Sequence, residues 1–128
     1  SNYQAELKYN KNIQFEQKGS MESKWIHKHP SIPGSFLAKI DPPNSASDAH
    51  IKRQCHEQSV DDFKLQIEII DHEMTMLKDC DGNLLEYNEE NFADLENRKL
   101  KLLMSKRFHQ NAAHAYWYSE HMLTFPED

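Results

Sequence analysis

Residues 60–77 carry the clearest periodic signal in the chain. Val60, Phe63, Ile67, Ile70, Met74 and Leu77 recur at spacings of three and four, the mark of one apolar stripe along an α-helix. A rival pattern overlaps it. "FKLQIEI" alternates strictly and would place Phe63, Leu65, Ile67 and Ile69 on one face of a strand. Length decides for a helix over 59–78: about 20 residues without Gly or Pro exceed the usual strand of about five or six. Ser59 reads as its N-cap, with Asp61 and Asp62 in the first turn. Before it, "SDAHIKRQCHEQ" reads as a separate short polar helix anchored by Ala49, Ile51 and Cys55 and capped from "NSASD".

Asp81-Gly82 is a turn dipeptide, since Gly accepts positive φ and Asp bonds its own backbone. Leu84 and Leu85 then form an extended link. Asn88 reads as an N-cap, with Glu89 and Glu90 complementing the helix dipole. The pattern predicts a short helix over Glu89–Glu96 and a long one from Arg98 to Leu123. Leu100, Leu103, Phe108, Ala112, Ala115 and Met122 form the core side of the long helix, and Pro126 closes it. Tyr116, Trp117 and Tyr118 are consecutive, and at about 100° per residue one core cannot take all three. Either some of them form a partner interface or the helix is buried on most sides.

The N-terminal third reads differently. Leu7, Tyr9, Ile13 and Phe15 alternate with polar residues around Asn10-Lys11-Asn12, as in a β-hairpin. "SN" and "GSM" also resemble tag and cloning scars, so residues 1–20 are read as a tag or fusion or as that hairpin. "KWIHKH" and "SFLAKI", broken by Pro30 and Pro33-Gly34, read as strand and loop. The expected fold is therefore α+β: a small N-terminal hairpin or sheet followed by a helical C-terminal two-thirds, with residues 21–128 as a single domain.

Composition narrows the functional classes. The net charge of −6 argues against general nucleic-acid affinity. Residues 1–58 hold eight Lys/Arg and six Asp/Glu, and residues 59–128 hold seven and fifteen. Within that acidic half, Arg98, Lys99, Lys101, Lys106 and Arg107 form a basic cluster, either a solvated helix face or a docking patch for an acidic partner. No apolar run reaches the ~20 residues of a membrane span. Cys55 and Cys80 lack CxxC partners, which suits reduced thiols in a cytoplasm.

"KDCDGNLLEYNEEN" has the look of a calcium loop, and register excludes it. With Gly82 at the sixth position, the first falls on Leu77 and the twelfth on Asn88, where carboxylates are required. His109, His114 and His121 have spacings unsuited to one ion, and His27 with His29 would chelate only from one strand face. No metal, cofactor or catalytic set is expected. "RFHQNAAH" is similar to the R-x4-6-H motif of HEPN ribonucleases, which implies Arg107 and His114 acting on RNA across a dimer without a metal. Phe108 departs from the polar residue usual there.

A broader resemblance covers residues 47–115. "HIKRQCHEQSVDDFKLQIEIID", "DCDGNLLEYNEENFADL" and "NRKLKLLM" resemble the tail assembly chaperones of long-tailed phages. Asp81 to Leu85 match their turn and link, and Tyr87 to Phe92 their helix start. The resemblance implies a non-catalytic, self-associating chaperone that coats the tape-measure protein while tail-tube protein is recruited. The sequence is therefore read as a protein-binding module. Arg98, Lys101, Arg107, Trp117 and Tyr118 are its candidate partner-binding residues, with self-association and no membrane partner expected. The alternatives are the ribonuclease and an acidic immunity or inhibitor protein using residues 61–96.

Overall fold

A computed structural model describes residues 24–125 of the chain. The hairpin expected in residues 1–20 lies outside them. The elements in order are a one-turn helix α1 (Gly34–Leu37), α2 (Ala46–Met76), a 3-10 turn (Glu86–Asn88) and α3 (Glu89–Thr124). Among the described residues there is no sheet, only an isolated antiparallel bridge between Lys78 and Leu84. The described chain is mostly helical, and the α+β expectation is corrected accordingly.

"SFLAKI" fails as a strand because its amides bond backward. Leu37 donates to the Pro33 carbonyl, Ala38 to Gly34, Lys39 to Phe36 and Ile40 to Leu37. Pro33 sits at φ −61° ahead of the turn, the angle its ring dictates. "KWIHKH" finds no partner strand among the described residues and is held instead by the Trp25 and His29 side chains and by Ser119 Oγ donating to the His27 carbonyl at 3.1 Å.

α2 begins as the cap motif predicts. Ser45 Oγ accepts the Asp48 amide at 3.0 Å, and the Asp48 carboxylate accepts the Asn44 amide at 2.9 Å, a reciprocal cap. The second cap expected at Ser59 does not form. Ser59 is 2% exposed inside a continuous 31-residue helix, so the two expected helices are one. The helical stripe holds in part: Val60, Ile67 and Ile70 are buried and Phe63, Met74 and Leu77 half-buried, while Leu65 and Ile69, from the rival strand face, are each 58% exposed.

The turn after α2 is built by Asp79. Its Oδ1 accepts the amides of Asp81 and Asn83 at 3.0 and 2.9 Å, and Gly82 sits at φ +83°, where a Cβ is disfavoured. Asn88 does not cap a helix as expected. The 3-10 turn runs directly into α3, and the Asn88 side chain donates to the Leu77 carbonyl at 2.9 Å. The break expected between Glu96 and Arg98 is also absent, since nothing in "LENRKL" interrupts helical bonding; α3 runs 36 residues.

The described residues form two compact units, one of residues 24–57 and 110–125, the other of residues 58–109. The first centres, in its described part, on Trp25, Leu37, Ile40, Ala49, Ala112, Ala115 and Tyr116. Trp25 Nε1 donates to the Leu37 carbonyl at 3.0 Å and lies 3.4 Å from that of Ile40, and its ring stands 5.1 Å from Tyr116. Tyr116 donates to the Asp41 carbonyl and stacks on His56. These bonds pin the irregular 24–45 segment without any sheet. In the second unit, Val60, Ile67, Ile70 and Leu95 are buried, His109 stacks on Phe63 at 5.6 Å, and Lys99 pairs with Asp71 at 2.6 Å.

Candidate protein-binding surfaces

In the 58–109 unit, the basic cluster of α3 meets an apolar stripe. Arg98, Lys101 and Arg107 are exposed and form no ion pair among the described residues; only Lys99 of the cluster pairs. Leu100 and Met104 are 59% and 73% exposed. At about 100° per residue they fall on the side of α3 away from buried Leu95, and Arg107 shares that side. Leu100 was expected in the core, and this corrects it: the stripe through Leu95 and His109 is the buried one.

The same unit holds an open groove of about 320 Å³ lined by Gln66, Ile69, Ile70, Glu73, Arg98, Lys101 and Leu102. Its floor is aliphatic. An acid stands on the α2 rim and two bases on the α3 rim.

The other unit carries a ladder of rings. His29 Nε2 stands 2.7 Å from His114 Nε2, and the His29 ring meets Tyr118 edge-on at 5.2 Å. His114 adjoins Trp117, Trp117 stacks on His121 at 5.9 Å, and His121 adjoins Phe125. Of the three consecutive aromatics, Tyr116 is buried and Trp117 is 50% exposed, with Tyr118 intermediate. A shallow cavity of about 230 Å³ is lined by Arg53, Trp117, Glu120, His121, Thr124 and Phe125.

Beside that cavity, Glu120 accepts from Arg53 Nε at 3.0 Å and meets His50 Nδ1 at 2.7 Å, while Arg53 also binds Glu57 at 2.9 Å. Desolvation works against the Glu120 charge, but the Arg53 and His50 bonds outweigh it and hold the carboxyl below its usual range. Bonds to Glu57 and Glu120 raise the Arg53 guanidinium above its ordinary value. Both charges are committed to each other, which makes this a structural clamp rather than a poised acid and base.

Arg107 lies in the 58–109 unit and His114 in the other, and His114 is engaged by His29. In the turn that resembles a calcium loop, Asp79 Oδ1 accepts two amides of its own turn. Among the described residues no group of three or more His, Cys, Asp or Glu is placed to hold a metal ion. No helix there is long and apolar enough to cross a membrane. Sequence reasoning missed the exposed Ile69 and Met104 and the His29–His114 pair. Ile69 and Met104 could have been found as apolar residues off the core stripe.

Comparison with protein-family models, curated proteins and solved structures gave no match.

Proposed function

We propose that the chain is a non-catalytic protein-binding module that docks a partner on the outer face of α3. The observation that carries this reading is the exposed pair Leu100 and Met104 beside Arg107, a base that forms no ion pair among the described residues. Apolar side chains flanked by bases suit a partner helix with an apolar stripe and acidic flanks. The tail-chaperone resemblance supplies a partner of that kind: the tape-measure protein of a long-tailed phage, with action in the cytoplasm during assembly. Cys55 and Cys80 are exposed and form no disulfide among the described residues, which suits a reducing compartment.

Co-expression with the tape-measure protein of the same genome tests this. A soluble complex that co-elutes in gel filtration, and is lost in Leu100→Asp and Arg107→Glu, is expected. No complex, or a complex indifferent to both changes, contradicts it. Purified chain that cleaves RNA until His114→Ala is introduced would establish the ribonuclease instead.

A further inference from the structure

We propose that the groove between α2 and α3 in residues 58–109 is covered by a second copy of this chain, about a two-fold axis running along the helices. The proposal deepens the protein-binding reading and shares its class, but it uses a different face from Leu100 and Met104.

A two-fold interface is one patch meeting itself, so that patch must be self-complementary. This one is. Glu73 stands on the α2 rim, Arg98 and Lys101 stand on the α3 rim, and Ile69, Ile70 and Leu102 lie along the groove. Rotation about an axis parallel to the helices sets α2 of one copy over α3 of the other. Each Glu73 then faces the other copy's Arg98 and Lys101, and the aliphatic floors meet. A rotation that set α2 over α2 would oppose like charges.

The wider charge pattern runs the same way. Residues 58–76 hold five acids (Asp61, Asp62, Glu68, Asp71 and Glu73) against Lys64, while residues 98–107 hold five bases and no acid. Within the chain only Asp71 and Lys99 use this complementarity among the described residues. Glu73, Arg98 and Lys101 on the groove form no ion pair among the described residues and are left for an intermolecular match. Ile69 lines the groove and, at 58% exposure, supplies apolar surface to the patch.

Size sets the expected strength. About 19 residues of each helix give a face roughly 28 Å by 20 Å. That lies below the ~800 Å² per partner of a standard stable interface, so a dissociation constant in the micromolar range is expected.

Sedimentation equilibrium of the full chain from about 5 to 500 µM brackets that range. A monomer–dimer equilibrium is expected, weakened at least tenfold by Glu73→Arg, by Arg98→Glu and by Ile69→Asp. The pairing predicts recovery when Glu73→Arg and Arg98→Glu are combined, because the swapped charges again oppose. Circular dichroism of these exposed-site variants checks that each remains helical. A wild-type chain monomeric throughout the range overturns the proposal, as does a dimer indifferent to the single changes or a double variant no better than the singles. Tape-measure binding with no dimer would leave the α3 reading standing and sink this one. The converse would sink the α3 reading alone.

Discussion

His29 and His114, 85 residues apart in sequence, meet Nε2 to Nε2 at 2.7 Å. The Ser31 amide donates to His29 Nδ1 at 3.0 Å. That nitrogen therefore carries no proton, and the neutral His29 ring must donate from Nε2, with His114 accepting. One proton holds the two rings together. A proton on His29 Nδ1 would oppose the Ser31 amide, and a proton on His114 Nε2 would oppose the donor.

The pair makes the contact acid-sensitive. Desolvation, and then the neighbouring His114, lower the His29 pKa from its usual 6.5. A depressed folded-state value means the unfolded chain binds the proton more readily. The contribution is therefore fully present above 6.5 and is lost as pH falls through the folded-state value. Proton-detected titration of the His29 ring should show a midpoint below 6.5, rising when His114 is replaced by Gln. A midpoint at or above 6.5 in the wild-type chain would refute the pairing.

Helix and strand readings of residues 59–78 separate cleanly by mutation. Ile67 is 8% exposed and Leu65 58%. Ile67→Ala should cost about 2–5 kcal/mol, and Leu65→Ala about 0.5 kcal/mol or less. Urea denaturation measures both. Equal costs would restore the strand alternation.

The periodic stripe from Val60 to Leu77 was legible because spacing alone identifies a helix face. Gly82 was legible because its turn needs positive φ. The continuity of α2 was not. Ser59 has the residue type and following acids of an N-cap, and only burial inside an unbroken helix shows otherwise. Leu100 was misplaced for a related reason: α3 has apolar residues on several sides, so periodicity could not say which side is buried. Trp25 was invisible as an anchor, since it sits in an irregular segment and its acceptors, the Leu37 and Ile40 carbonyls, are backbone atoms. No local pattern encodes the meeting of His29 with His114. The groove followed from pairing α2 with α3, which sequence reading did not supply.

Trp25 and Tyr116 are expected to hold the 24–45 segment by their polar atoms as well as their rings. Tyr116→Phe removes the bond to the Asp41 carbonyl and should cost about 0.5–1.5 kcal/mol. Trp25→Phe leaves the Leu37 carbonyl without its side-chain donor and should cost more, about 1–3 kcal/mol with the lost packing. Amide hydrogen exchange over 36–40 should accelerate in both. Unchanged exchange there would mean that the segment is held by other contacts.

Calcium should leave the melting temperature unchanged, because Leu77 and Asn88 stand at the first and twelfth loop positions, where carboxylate ligands are required. A site filled at 100 times its dissociation constant would add about 2.7 kcal/mol, readily seen by calorimetry. Gly82→Ala, at φ +83°, should cost about 1–2 kcal/mol through backbone strain. A calcium-dependent rise in melting temperature would reopen the metal reading of this turn.

The docking face on α3 is tested most directly at its methionine methyls. The chain holds five methionines; Met104 is 73% exposed on the outer face of α3, whereas Met74 and Met122 are half-buried. With methyl-labelled methionine and a titrated tape-measure segment, the account predicts that the Met104 resonance shifts and broadens while Met74 and Met122 hold their positions. No change at Met104 on saturation, or change confined to Met122, would contradict it.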